Sequence, residues 1–469
     1  MLFPSEIFLF VFLPFVLAVY YIFLRKTKEL KNMFLLFASL FFYAWGEPVY
    51  VFLMIAAMLI NWLYGIAVHK LENKKRAARA VLTAMVLTNL GILGWFKYSV
   101  FVMLQINRFL YTEFSVPEVE LPIGISFFTF QAMSYVFDVY RKKGRVQYNP
   151  FRVGLYISLF PQLIAGPIVR YETIAEQMEC RRENWDDFSK GVTRFCVGLS
   201  KKVLIANNMA VVADAAFDLL IAGQFQASVA MAWLGAVSYT LQIFFDFSGY
   251  SDMAIGLGRM FGFHFEENFN YPYIAKSVSE FWRRWHISLQ RWFRDYVYFP
   301  LGGSRVSKLR LVLNLFVVWA LTGIWHGANW TFLAWGLMYF VLLTVEKFTG
   351  LDKKQCWWGH IYTLLFVMLG WVIFRSSGMG NAFTYIKAMF GVGAKGMMDS
   401  AVGAYLAQNW IYYGMAFLGS VPFIPKLEEK WKEKSVWKIT YVLCVIAAFF
   451  VSVSFIMNQA YNPFIYFNF

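Results

Sequence analysis

His326 stands within Leu321-Thr-Gly-Ile-Trp-His-Gly-Ala-Asn-Trp-Thr-Phe-Leu-Ala-Trp-Gly336, a run without an acidic or basic side chain apart from the histidine itself. An imidazole gains or loses its proton near neutrality, so it can serve as a general base where most side chains cannot. Gly323 and Gly327 flank it and permit a second backbone to approach closely. A polar side chain inside an apolar run is costly, which makes His326 a functional candidate; a satisfied core histidine is the plain alternative.

A second histidine, His286, lies in Ser279-Glu-Phe-Trp-Arg-Arg-Trp-His-Ile-Ser-Leu-Gln-Arg-Trp-Phe-Arg-Asp295. Drawn as one continuous helix, this segment gathers Trp282, Trp285, Leu289, Trp292, Phe293 and Tyr296 on one arc with His286 among them. Arg283, Arg284, Arg291 and Arg294 fall on the opposite arc. They are expected either to anchor the helix at a membrane interface or to contact a phosphate-bearing donor such as coenzyme A. Three further words place small or polar residues in apolar surroundings: Pro122-Ile-Gly-Ile-Ser126 with Gln131, Phe160-Pro-Gln162 with Gly166 and Pro167, and Asp246-Phe-Ser-Gly-Tyr-Ser-Asp252. Ser126, Gln131, Gln162, Asp246, Asp252 and Trp325 are candidates to line a polar passage, the alternative being helix packing.

The elements that must hold these residues are read from composition. Of 469 residues, 59% are apolar, 20% aromatic and only 15% charged, which excludes an ordinary soluble domain. Runs of membrane-spanning length recur from end to end, giving about eleven or twelve spans and an all-α, polytopic membrane fold with re-entrant or interfacial helices. The net charge of +15 resides in clusters between apolar runs, as in cytoplasmic loops, so nucleic acid is not an expected partner. Arg25 to Lys31, and Lys70 with Lys74, Lys75, Arg76 and Arg79, fall on one side if 33–45 and 48–68 form a hairpin turning at Gly46. The Glu113, Glu118 and Glu120 loop falls on the other. With Lys426, Lys430, Lys432, Lys434 and Lys438 before the last span, both termini are expected outside the cytoplasm. Leu2 to Leu24 reads as a retained span rather than a cleaved leader. Pro161 and Pro167 predict a kinked or re-entrant segment.

Cys180, Cys196, Cys356 and Cys444 show no C-x-x-C spacing, so neither a disulfide framework nor a thiolate metal site is expected. No H-E-x-x-H, phosphate loop, dinucleotide loop or G-x-S-x-G elbow is present, and neither His286 nor His326 is followed five positions later by Asp. A transporter or flippase is the rival of another class. It lacks the matched pair of interrupted segments many transporters carry.

Pro122-Ile-Gly-Ile-Ser-Phe, Asp246-Phe-Ser-Gly-Tyr-Ser-Asp252, Phe281-Trp-Arg-Arg-Trp-His286, Tyr298-Phe-Pro-Leu-Gly-Gly303, Trp325-His-Gly327 and the closing Asn462-Pro-Phe-Ile-Tyr-Phe-Asn-Phe469 resemble the membrane-bound O-acyltransferase superfamily, and within it the alginate O-acetyltransferase branch. The resemblance covers nearly the whole chain and implies a single membrane domain over 1–469, with core motifs in 121–336 and the last span and outer tail in 439–469. It makes His326 the central catalytic residue and His286 the second family histidine. It implies acetyl-CoA, or an acyl carrier protein, as thioester donor, with no bound cofactor or metal. It also implies the lipid bilayer of a bacterial inner membrane, a polysaccharide acceptor and an extracytoplasmic SGNH-type acetyltransferase as partners. D-alanyl transfer to teichoic acid is the alternative inside the superfamily. Asn468 stands where the branch leads one to expect Gln. Tyr466 is implied as an acyl relay, the alternative being an aromatic anchor at the membrane surface.

Overall fold

A computed structural model describes every residue except Arg25, Lys26, Ala165, Gln355, 459–464 and 466–469. Tyr466 and all of the closing motif except Ile465 therefore lie outside the described residues, as do two of the basic residues of the first cluster.

The chain is helical almost throughout. After α1 (Leu13–Ala18), bracketed by π-helical turns, come α2 (Lys28–Ala44), α3 (Tyr50–Lys70), α4 (Lys75–Leu110), α5 (Ile125–Tyr140), α6 (Pro150–Ser158), α7 (Phe160–Leu163), α8 (Tyr171–Cys180), α9 (Trp185–Ser200) and α10 (Asn207–Phe217). Strands β1 (Leu220–Ile221) and β2 (Gln224–Phe225) form a small hairpin, turning at Ala222 and Gly223 with φ of 48° and 76°, as the tightest hairpin turn requires. Then follow α11 (Val229–Met260), α12 (Val278–Arg284), α13 (Ile287–Phe293), α14 (Lys308–His326), α15 (Trp330–Thr349), α16 (Trp358–Arg375), α17 (Met379–Met389), α18 (Ser400–Gly419), α19 (Phe423–Trp431) and α20 (Ser435–Met457).

Among the described residues, eight helices are long and apolar enough to cross a membrane: α3, α4, the continuous run Trp185–Phe217, α11, α14, α15, α16 and α20. Phe8–Phe23 is a shorter apolar helix. The segments expected as spans at 33–45 and 121–140 form helices of 17 and 16 residues, and that at 151–168 is broken into α6 and α7. The break comes at Leu159 (φ −49°, ψ 110°), so that Pro161 enters the first turn of α7, where its missing N–H is no loss. The hairpin at Gly46 is formed as expected, between α2 and α3.

Two compact units emerge, Met1–Phe195 with Met253–Glu266, and Cys196–Asp252 with Glu267–Phe469. In the first, Arg181 is buried and donates to Asn32 Oδ1 (2.6 Å) and to the Tyr20 hydroxyl (3.1 Å), while Tyr20 donates to Glu183 Oε1 (2.6 Å). In the same unit Gly191 on α9 meets Gly256 on α11 so closely that a Cβ on Gly256 would stand 2.6 Å from the Gly191 carbonyl. In the second unit a Cβ on Gly249 would stand 2.8 Å from the Gly198 carbonyl. Small residues seven apart on both helices allow this contact.

The second unit holds an aromatic core. Trp282, Trp319, Trp335, Tyr339 and Trp371 are buried together, the Trp282 ring lying 4.8 Å from those of Trp319 and Tyr339.

Candidate active site

His326 is the last residue of α14, and its position follows from the tight hairpin to α15. A Cβ on Gly323 would stand 2.5 Å from the Phe332 carbonyl, and one on Gly327 would collide with the Phe332 ring. Both glycines are therefore needed for the approach. Asn329 caps α15, accepting from Thr331 N (3.1 Å), and donates to Ser377 O (2.9 Å). The His326 ring is buried and meets three aromatic rings nearly edge-on: Trp325 (5.0 Å), Trp335 (5.0 Å) and Phe374 (5.1 Å).

His286 is held differently. The continuous helix expected over 279–295 is not formed: α12 ends at Arg284, His286 takes the left-handed conformation (φ 44°, ψ 54°), and α13 starts at Ile287. The cause is a set of partners outside the segment. Asn268 O accepts from Ile287 N (2.9 Å), and Asn268 Oδ1 accepts from Ser288 N (3.2 Å) and Ser288 Oγ (2.9 Å), replacing helical bonds across the break. The start of α12 is fixed by Ser277, which accepts from Glu280 N (3.0 Å), and by the buried Glu346 carboxylate, which accepts from Val278 N (2.6 Å) and Ser279 N (2.8 Å). A carboxylate at a helix N-terminus satisfies orphan donors and opposes the helix dipole.

This arrangement selects a tautomer. A backbone N–H can only donate, so the Asn268 atom facing Ser288 N is the oxygen, and the same oxygen lies 3.1 Å from His286 Nδ1. Nδ1 therefore carries the hydrogen, which leaves Nε2 as the lone-pair nitrogen. Nε2 is buried and has no hydrogen-bond partner. The ring also meets Phe247 edge-on (4.6 Å), and the Trp325 ring, which packs on His326, lies 6.3 Å from it. Trp325 thus touches both imidazoles.

A cavity of about 720 Å³ adjoins this group. Phe374, whose ring also meets those of His326, Trp335 and Trp371, lines it together with Phe332, Tyr239 and Gln242. Its polar side carries Asn329, Ser376, Ser377, Asn381 and an Arg375–Asp214 ion pair. The Arg375 guanidinium also lies over the Phe217 and Tyr239 rings at 4.6 and 5.0 Å, which holds it in place. Gln242 is buried and its Oε1 has no hydrogen-bond partner, so an acceptor is available in the wall.

The remaining candidates are distributed as follows. Asp246 is buried on α11 and paired with Lys202 (2.7 Å), whereas Asp252 pairs with Lys201 (2.7 Å). Ser126, which accepts from Lys97 Nζ (3.3 Å), Gln131 and Gln162 belong to the first unit; Gln131 is fully buried with neither amide atom paired. Arg284 is bound to Glu280 (2.8 Å) and Asn270 O (3.1 Å), and Arg294 to Asp295 (3.0 Å). Arg283 is exposed and Arg291 half-buried. Asn268, Glu346, Gln242, Lys202 and the Arg375–Asp214 pair escape motif reasoning. Charged residues inside apolar runs were the available signal for Lys202, Asp214 and Glu346. Among the described residues no cluster of metal-ligating side chains occurs.

Two imidazoles packed against one tryptophan beside a polar chamber, in a helical membrane fold, are groups suited to proton transfer. The chain belongs to the membrane-bound O-acyltransferase family, whose model matches residues 77–351. It is 41% identical over 441 residues to the probable alginate O-acetylase AlgI of Pseudomonas syringae pv. tomato, spanning 92% of this chain and 84% of that protein. It is 35% identical over 429 residues to the peptidoglycan O-acetyltransferase of Helicobacter pylori, spanning 84% and 80%. Similarity to the teichoic acid D-alanyltransferase of Bacillus subtilis is 29% over 272 residues, spanning 54% and 68%. The protein is thus a multi-pass membrane O-acyltransferase.

Proposed function

We propose that this enzyme takes an acetyl group from cytoplasmic acetyl-CoA and passes it across a bacterial inner membrane for O-acetylation of an extracytoplasmic polysaccharide, with an outer SGNH-type partner completing the transfer. The observation that carries the reading is the contact of Trp325 with both histidine rings, while Phe374 joins His326 to the chamber. His326 is the base. Its imidazole takes the proton of the acceptor hydroxyl as that oxygen bonds to the thioester carbonyl carbon. The tetrahedral intermediate then expels the thiolate, which recovers the proton from the imidazolium as free CoA-SH. A placed base of this kind supplies roughly 10²- to 10⁴-fold. His286 orients the reacting hydroxyl by accepting its hydrogen bond at Nε2.

Acetyl is favoured over D-alanyl because the alginate O-acetylase relative matches 92% of the chain and the D-alanyltransferase 54%. The distribution of basic loops supports an outer location for both termini. Tyr466 is the proposed relay: its phenol, deprotonated by His326, would attack the thioester and form an aryl ester that the outer partner collects. The whole chain acts as one functional domain, with Arg283, Arg284, Arg291 and Arg294 as proposed contacts of an anionic donor and Ser126, Gln131, Gln162, Asp246 and Asp252 serving the passage. The deciding experiment offers the purified protein radiolabelled acetyl-CoA and, separately, D-alanyl carrier protein. Consumption of the acetyl thioester, with acetyl found on Tyr466 by mass spectrometry, is the expected result. Consumption of only the D-alanyl thioester would transfer the chain to the other branch, and Tyr466→Phe with undiminished acetylation would remove the relay.

A further inference from the structure

Lys202 and Asp246 form an ion pair (2.7 Å) whose side chains are 1% and 2% exposed. Removing two charges from water costs several kcal/mol per ion, and apolar residues of equal volume commonly stabilise a core as well, so such a pair calls for a use beyond stability. Its surroundings show one. Lys202 Nζ also donates to Asn207 Oδ1 (2.8 Å), which fixes the ammonium and, through it, one carboxylate oxygen of Asp246. The other oxygen, Oδ2, accepts a hydrogen bond (3.0 Å) from the backbone N–H of Ile465, 219 residues further along the chain.

Ile465 is buried, packs into the core of the second unit and lines the chamber beside Gln242, Tyr239, Phe332 and Phe374. A buried backbone N–H requires an acceptor, and a charged one makes a shorter and stronger bond than a neutral one.

We propose that the Lys202–Asp246 pair is the docking site for the chain's own C-terminal segment, an anchor that grips the Ile465 backbone and seats that residue in the chamber wall. Because the anchor binds main chain, it sets where the tail is held without dictating its side chains. Because Lys202 neutralises Asp246 independently of the tail, the segment can leave without stranding an unpaired buried charge. Asp246 and Lys202 are positioning residues: they hold the residue to which Tyr466 is peptide-bonded, beside the Phe374 ring that packs on His326. The inference rests on reading the chamber as the place of chemistry, yet it is tested without chemistry.

The test uses the full-length protein with Cys180, Cys196, Cys356 and Cys444 replaced by alanine and Ile465→Cys introduced, its labelling rate by a water-soluble maleimide being measured in detergent with no donor present. Labelling is expected to be slow in this parent and about tenfold faster or more once Asp246→Ala removes the acceptor, that being the scale of a bond to a charged group. Asp246→Asn, which keeps an amide oxygen for Ile465 N–H, is expected to fall between. Equal rates in parent and Asp246→Ala, or a parent labelled as fast as urea-unfolded protein, overturn the anchor. Should Asp246→Ala not give a monodisperse protein, the double variant Lys202→Met/Asp246→Leu removes both charges, and the same two criteria apply to it. Failure of the Tyr466 relay would leave these rates unchanged, so the two ideas fail separately.

Discussion

Helices α11 and α20 are both long enough to span a bilayer, yet the more apolar one is the less buried. The most apolar window of α20 has mean hydropathy 2.5 and is 6% buried, whereas that of α11 has mean hydropathy 1.2 and is 83% buried. In water this order would be inverted. In lipid the solvent is hydrocarbon, so apolar side chains face outward at no cost while polar ones must find protein partners. Helix α11 accordingly buries Ser238, Thr240, Gln242, Asp246, Ser248 and Ser251, and it supplies the wall acceptor, the tail anchor and, through Phe247, a contact to His286. Polar residues concentrated on a buried helix are what the proposed site draws on.

The contrast between interior and lipid face can be broken by substitution. The largest effect is expected for His326→Ala: thioester turnover falls about 10²- to 10⁴-fold while membrane insertion and gel-filtration profile stay as in the wild type. Near wild-type acetylation from a well-expressed protein would end the assignment of His326 as base. Next, Asn268→Ala should lower kcat about ten- to hundredfold, since His286 loses the partner that fixes its tautomer and Ser288 loses its acceptor. A variant changed only in thermal stability, with kcat retained, would reduce His286 to packing. Third, Gly256→Leu on α11 should cost about 1–3 kcal/mol or more, read as a lower unfolding midpoint in detergent, because its Cβ would stand 2.6 Å from a backbone carbonyl. Fourth, Arg283→Ala should raise KM for acetyl-CoA severalfold if that exposed side chain meets the donor. An unchanged KM makes it a membrane anchor. The smallest effect belongs to α20: Leu443→Ala, at a position 60% exposed, should change stability by no more than about 0.5 kcal/mol and leave turnover intact. A large loss there would mean that α20 has a partner rather than lipid on its outer face.

Much of the architecture was legible because membrane physics writes itself into local composition. The α2–α3 hairpin at Gly46, the break ahead of Pro161 and the close approach at Gly323 and Gly327 all follow from residue type and spacing. Helix length was less legible. Segments such as 121–140 are apolar enough to suggest a span, but α5 is 16 residues long and buried along most of its length, and a helix surrounded by protein need not match the bilayer. The segment 279–295 misled for a clearer reason. Its aromatic spacing suits an unbroken helix, but Asn268 and Glu346 offer hydrogen bonds that stabilise two short helices with a left-handed residue between them.

What the sequence alone determined is the solvent of this protein, its helical class and the identity of the two histidines as residues able to do acid–base work, since each depends on side-chain type and near-neighbour spacing. Only the tertiary structure decided which nitrogen of His286 is presented, that Trp325 serves both rings, that Gln242 and Arg375 share a chamber and that Asp246 holds Ile465. Those relations reach across as many as 219 positions. They arise because buried polar groups must find partners wherever packing brings them, and no local pattern records which partner that will be.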